Sequence, residues 1–201
     1  MRSIPQAILE RSQSLSEGGV LAPKEFLHLG SRAAVDQAFC RLARAGQLMR
    51  IARGIYVAPV REKDRTRAPS AESLAKSIAA QGKQCISLDG AQAARSMGLT
   101  LAASTKEVYL TTGRSKRLVV GSRTIYFQHA PYWLFSLGAT PAGDALRAMA
   151  WVGKDQAENS AQKLRRHLAE VEWESLGSVR ASLPSWMATA LGRVAMLSEL
   201  R

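Results

Sequence analysis

Apolar positions recur at roughly helical spacing from Ile4 through Ala7, Ile8 and Leu15, and Gly18-Gly19 stops the run, which predicts a first helix. Val20-Leu21 is a short apolar step. Pro23 then suits the first turn of a second helix through Lys24, Glu25, Phe26, Leu27 and His28, broken at Leu29-Gly30. Ser31 suits the N-cap of a third helix, Arg32 to Ala45, and Gly46 its C′ position. A helix, a tight glycine-containing turn and another helix form the helix-turn-helix pattern. The following segment, Leu48 to Val57, reads as two short strands joined near Ala52-Arg53-Gly54, with Leu48, Ile55 and Val57 available to pack back on the helices. Helix-turn-helix plus hairpin predicts a winged helix.

Beyond residue 69 the pattern is mixed. Ser70 predicts the cap of a helix carrying Leu74, Ala75 and Ile78 and ending at Gly82. Cys85 to Leu88 reads as a buried strand, and Ala91 to Met97 as a short helix stopped by Gly98. Residues 108–112, 118–120 and 124–128 have strand composition, the last two joined by a Gly121-Ser122-Arg123 turn. Helices follow: one opened by Thr140-Pro141 and broken at Gly153, one from Ala157 to Val171 with Leu164, Leu168 and Val171 inward, and one from Leu183 to Leu200 with Met187, Leu191, Val194 and Leu197 inward. The predicted class is α+β: an N-terminal winged helix-turn-helix, then a mixed α+β domain ending in a helical bundle. Val60 to Pro69 has six charged residues in ten, is bracketed by Pro59 and Pro69 without apolar period, and reads as a linker or an exposed connection. It divides the chain into a domain over 1–68 and another over 69–201.

The composition of the 201 residues, 46% hydrophobic and 22% charged, excludes a mini-protein, a disordered chain and a membrane span. Lys and Arg number 28 against 16 Asp and Glu, a net charge of +12, which points to a polyanionic partner. Residues 1–68 carry twelve cations and six carboxylates, net +6, and the remainder also +6, so the polyanion is expected to meet both halves or a surface they share. No secretory signal is readable at the N-terminus, which predicts a cytoplasmic protein. Cys40 and Cys85 lie far apart without CxxC spacing, and His28, His129 and His167 form no ligand cluster. That predicts no metal site, no cofactor and two buried thiols. The four tryptophans, at 133, 151, 173 and 186, read as packing residues.

On a wheel of ~100° per residue, Val35, Ala38, Phe39 and Leu42 of the third helix face the core, and Ala33, Gln37, Arg41 and Arg44 gather opposite. Those outward residue types suit major-groove reading: Gln pairs with adenine, Arg with guanine, and an Ala methyl touches thymine. Arg50 and Arg53 in the hairpin would meet phosphates or the adjacent minor groove. A second basic feature is Thr111-Thr112-Gly113-Arg114-Ser115-Lys116-Arg117, which lacks the GxxxxGK[ST] spacing of a nucleotide-binding loop; it reads either as a loop offering Arg114, Lys116 and Arg117 to a nucleic-acid backbone or an acidic partner, or as a plain solvated turn. The enzymatic alternative is a nuclease using Asp89 and Glu107. Its metal-positioning lysine, two residues after the second acid, is replaced by Tyr109, so no catalytic residue is assigned.

Taken together, Gly19-Val20-Leu21-Ala22-Pro23-Lys24-Glu25-Phe26, Leu29-Gly30-Ser31-Arg32, Arg41-Leu42-Ala43-Arg44-Ala45-Gly46 and Arg53-Gly54-Ile55-Tyr56 resemble the N-terminal winged helix of AbiEi-type antitoxins of bacterial type IV toxin–antitoxin systems. Gly90-Ala91-Gln92-Ala93-Ala94, Gly98-Leu99-Thr100, Val108-Tyr109-Leu110-Thr111 and Gly113-Arg114-Ser115 are similar to the C-terminal domain of that family. The resemblance covers most of the chain to about residue 150. It implies a transcriptional repressor binding double-stranded DNA at inverted repeats in its own promoter, as a dimer on DNA, through Ser31, Arg32, Gln37, Arg41, Arg50 and Arg53. It further implies counteraction of a nucleotidyltransferase toxin, with direct contact left open. The competing expectation is a stand-alone winged-helix regulator whose second domain serves oligomerisation or ligand sensing.

Overall fold

A computed structural model describes residues 3–63, 65–102 and 106–199 of the chain. It is mixed α+β, with helices and several small sheets arranged as two compact units. One unit comprises the described residues up to Ile86 together with Gly113–Phe127. The other comprises those of Ser87–Thr112 and from Gln128 onward.

In the first unit, helix α1 (Ile4–Ser14) is followed by strand β1 (Val20–Leu21), a 3-10 turn (Pro23–Leu29) and helix α2 (Arg32–Arg44). The expected second helix is thus a tighter 3-10 turn, held open at its start by the Glu25 carboxylate, which accepts from the Ala22 amide at 2.8 Å. Strands β2 (Met49–Ala52) and β3 (Ile55–Val57) form a hairpin, and β1 pairs antiparallel with β3 to give a three-stranded sheet in the order β1-β3-β2. A register shift lies between Arg50, opposite Tyr56, and Ala52, opposite Ile55. The core holds Ile8, Leu21, Phe26, Val35, Phe39, Leu42, Leu48 and Tyr56. Phe39 is fully buried between Phe26, edge-on at 5.5 Å between ring centres, and Tyr56 at 4.7 Å.

The charged stretch read as a linker or an exposed connection carries two short, largely exposed strands. Strands β4 (Val60–Glu62) and β5 (Arg65–Arg67) pair antiparallel, with Glu62 opposite Arg65. Arg67 donates to Glu62 at 2.8 Å and to Glu17 at 3.0 Å, and the Ser70 amide donates to Glu17 at 2.9 Å. Ion pairs and a backbone ladder hold this segment where an apolar period is missing, which is why a search for periodic apolar positions passes over it. Helix α3 (Ala71–Gly82) buries Leu74, Ala75 and Ile78. The Gln81 side chain donates to the Val20 carbonyl at 2.6 Å, and Gly18, at φ +78°, backs onto the Ser73–Leu74 peptide with no room for a Cβ. A division at 68/69 therefore runs through the first unit.

Strand β6 (Ile86–Leu88) is more exposed than a buried strand should be, with Leu88 at 47%. Helix α4 (Gly90–Ser96) is capped by Asp89, which accepts from the Ala91 amide at 3.3 Å, and strand β7 (Glu107–Thr111) buries Tyr109 and Thr111. Strand β8 (Lys116–Val120) and strand β9 (Arg123–His129) form the next hairpin, with Leu118 opposite Ile125 and Val120 opposite Arg123. The residues of that hairpin up to Phe127 belong to the first unit, where β8 packs against β2.

The helices of the second unit are α5 (Pro141–Val152), α6 (Ala157–His167), α7 (Glu170–Ser178) and α8 (Ser185–Glu199). Gly90 of α4 lies directly against the Arg147 carbonyl of α5, so the crossing has no space for a side chain there. Arg147 is only 2% exposed, and its guanidinium donates to the Leu134 and Gly138 carbonyls at 3.1 and 3.0 Å and to Asp144 at 2.6 Å. The single helix expected from Ala157 to Val171 is two, because Leu168 is extended and ends α6. That break resets the phase: Trp173 and Leu176 turn inward, while Val171, expected inside, is 71% exposed. Leu197, also expected inside, is 60% exposed, whereas Met187, Leu191 and Val194 are buried. Trp173 is buried and Trp133 and Trp186 pack half-buried on the core, but Trp151 is 40% exposed.

Two outcomes follow. Phe39→Ala should cost about 3–5 kcal/mol, read as a lowered urea midpoint by circular dichroism; an unchanged midpoint would contradict the ring packing. The Arg67 guanidinium and the Ser70 amide hold the Glu17 carboxyl below its ordinary value. A carboxyl depressed by folding contributes stability above its unfolded value and loses it as pH falls through the lower folded value. Thermal melts of wild type and Arg67→Ala should accordingly differ at pH 7 and converge as pH drops below the ordinary carboxylate value of 4.5.

Candidate nucleic-acid interface

Helix α2 is built to present two outward stripes. Ser31 caps it by accepting from the Ala34 amide at 3.3 Å, and Val35, Ala38, Phe39 and Leu42 are buried, which fixes the helix's rotation. Residues four apart stack on one face of a helix. Ala33, Gln37 and Arg41 therefore form one exposed stripe, and Arg32, Asp36 and Cys40, continued by Arg44, form a second.

The second stripe is one wall of an open groove of about 820 Å³. Arg50, Arg53, Gly54 and Tyr56 of the β2–β3 hairpin stand across it, and Val119 and Gly121 of the β8–β9 hairpin also line it. Arg53 is carried out on the turn by Gly54, whose φ of +70° is open to glycine at no steric cost. Four guanidiniums, those of Arg32, Arg44, Arg50 and Arg53, thus share one concavity. Asp36 is in it too, and accepts from the Arg32 Nε at 2.9 Å. Ser31, Ala33, Gln37 and Arg41 do not line the groove, so the residues singled out in sequence divide between it and the neighbouring exposed stripe.

Charge follows the units. The segments 1–86 and 113–127 hold eighteen Lys/Arg against seven Asp/Glu, net +11, and the remaining segments hold ten against nine, net +1. The even split about residue 68 arises from cutting that unit by residue number. A readable signal exists in the sequence, since no carboxylate occurs between Glu107 and Asp144, and the stretch between them contains Arg114, Lys116, Arg117 and Arg123.

The basic loop is not a set of three equal cations. Lys116 is half-buried, its ammonium 5.3 Å from the centre of the Phe127 ring, and burial pushes its pKa below the usual lysine value. Arg114 and Arg117 are exposed. The expectation of two buried thiols is also corrected, because Cys40 and Cys85 are both exposed and Cys40 lines the arginine groove.

In the second unit Asp89 and Glu107 do come to one pocket, of about 480 Å³, together with Gln92, Arg95, Lys106 and Tyr109. Burial raises the Asp89 pKa, and the bond from the Ala91 amide opposes that rise. Tyr109 occupies the place a metal-positioning lysine would need. Among the described residues, no group of three or more His, Cys, Asp or Glu could hold a metal ion, and no helix is long and apolar enough to cross a membrane.

Residues 7–176 match a family of unknown function, DUF6088, and the chain belongs to that family. No curated protein and no solved structure matches the chain. Both cysteines should be alkylated by a maleimide in the folded protein without denaturant, as read by mass spectrometry; protection of Cys40 in the free protein would contradict an open groove.

Proposed function

We propose that the first unit is a winged helix that binds double-stranded DNA, and that the chain is a cytoplasmic transcriptional autorepressor acting on inverted repeats of its own promoter as two copies. We further propose that it serves as the antitoxin against a nucleotidyltransferase toxin. The observation that carries the DNA-binding reading is the convergence of Arg32, Arg44, Arg50 and Arg53 on one groove within a unit of net charge +11.

With α2 in the major groove and the β2–β3 hairpin at the adjacent minor groove, the sugar–phosphate strand separating the two must pass between helix and hairpin. That passage is the arginine-lined groove, and phosphate contacts there set register and affinity. The stripe of Ala33, Gln37 and Arg41 then faces base edges, where Gln pairs with adenine and Arg with guanine. Ser31 places the N-terminus of α2, whose free amides favour a phosphate. The antitoxin reading is supported by the resemblance of the segments from Gly90 to Ser115 and names no reaction, cofactor or metal. The pocket around Asp89, Arg95 and Lys106 favours the alternative, a stand-alone regulator whose second unit senses a small ligand. Co-expression with a neighbouring nucleotidyltransferase gene separates the two: rescue of growth supports the antitoxin, and failure leaves the regulator.

Gln37→Ala and Arg41→Ala should each cost about 1–3 kcal/mol of binding and relax preference at one or two base pairs, whereas Arg50→Ala and Arg53→Ala should weaken all sequences alike and make the salt dependence shallower. Salt-titrated mobility shifts on duplex from upstream of the gene, against random duplex, measure both. Equal affinity of wild type for the two duplexes would remove the repressor reading.

A further inference from the structure

Building on that DNA-binding reading, we propose that the β8–β9 hairpin is a second backbone clamp, in which Arg117 and Arg114 hold phosphates flanking the stretch read by α2. Val119 and Gly121 of this hairpin line the same groove as Arg50 and Arg53, and β8 packs against β2. Strand residues alternate between faces. Leu118 and Val120 are buried at 0% and 1%, whereas Arg117 and Val119 are exposed, so Arg117 shares the face that meets the groove through Val119. Arg114 stands exposed just before the strand. Residues 113–127 contain no carboxylate to compete with phosphate for these guanidiniums.

The other two cations of the hairpin are differently employed. Lys116 is drawn over Phe127, and Arg123 donates to the Pro69 carbonyl at 3.3 Å. The clamp assignment therefore falls on Arg114 and Arg117. A duplex strand leaving the groove past Val119 meets Arg117 about two residues, roughly 7 Å, further along β8, close to the spacing of successive phosphates. The hairpin contributes charge and shape but no base contact. Its role is to lengthen the footprint and steepen the salt dependence without altering sequence preference.

The test is the slope of log K against log salt for full-length protein on duplex from upstream of its gene, and on random duplex. Arg117→Ala and Arg114→Ala should each make the slope shallower by about 0.9 on both duplexes, with the ratio of the two affinities unchanged. Arg117→Lys should restore the wild-type slope, and Lys116→Met, which keeps the buried stem, should leave it unchanged. Melting curves identical to wild type verify the fold of each variant, and Arg117→Gln, which keeps much of the stem without the charge and should lose the same slope, carries the test should an alanine variant melt early. Wild-type binding that prefers the upstream duplex, combined with unchanged slopes in the arginine variants, would overturn the clamp while leaving the DNA-binding reading intact. An equal loss of slope in Lys116→Met would also overturn it, by showing a general charge effect. Failure of wild type to bind either duplex overturns both.

Discussion

The packing of Phe39 between Phe26 and Tyr56 sets the geometry of helix α2 and of the hairpin that faces it. Those three rings come from helix α2, the turn before it and the central strand β3, and they meet at centre-to-centre distances of 5.5 and 4.7 Å. Burying a phenylalanine side chain gains about 1.5–3 kcal/mol, but its larger consequence is geometric. With Phe39 inward, the rotation of α2 is fixed, and one stripe must face solvent while the next faces the hairpin. The groove with its four arginines follows from where one ring points, together with Tyr56 placing β3 and, through the Arg50–Tyr56 register, the hairpin.

A different constraint organises the second unit. Gly90 and Gly143 sit where backbone carbonyls, of Arg147 and Gly138, leave no space for a Cβ, so α4 and the start of α5 approach their neighbours backbone to backbone. Arg147 is buried at the same place and satisfies three oxygen acceptors with one guanidinium. Removing either partner of a buried, fully bonded charge is far costlier than never having placed it there. Close helix crossing and internal cation are thus coupled: the glycine permits the approach, and the arginine ties down the loop carbonyls that the approach exposes to the interior.

How much of this was legible depends on which force holds each part. The elements of the basic unit that rest on apolar period and on caps could be read: α2 with its Ser31 cap and buried Val35, Ala38, Phe39 and Leu42 is the clearest, and the β2–β3 hairpin next. What escaped was held by polar contacts or by distant chain. The β4–β5 hairpin rests on Arg67 with Glu17 and Glu62, which no periodicity reports. The break at Leu168 leaves no glycine or proline mark, so a continuous apolar pattern concealed a change of phase that put Val171 outside. Of the candidate site, the outward residues of α2 and the hairpin arginines were legible. Their division into a groove-lining and a groove-free stripe was not, because it depends on where the hairpin stands. Nor was the return of residues 113–127 to the basic unit, which joins segments separated by 26 residues of sequence.

Asp36 brings these strands together. A carboxylate within a groove of four guanidiniums opposes an incoming phosphate, and its exposed pairing with Arg32 four residues away is worth only about 0.3–0.5 kcal/mol, so helix stability alone is a weak reason for its place. Its position, one turn into α2 on the groove-lining stripe, means that Arg32 enters the groove already paired with a carboxylate, while Arg44, Arg50 and Arg53 do not share that partner. The side-chain charge in the groove is therefore uneven: Arg32 and Asp36 offset each other toward the start of α2, leaving its free amides to face an anion there, and Arg44, Arg50 and Arg53 stand without such a partner where the end of the helix meets the hairpin. On the DNA-binding reading, a phosphate strand is drawn to that end. There the partial negative charge of the helix C-terminus already favours Arg44, and Val119 and Gly121 extend the wall. On that reading an asymmetric groove sets a direction as well as an affinity, and such positioning comes before the base contacts proposed for Gln37 and Arg41.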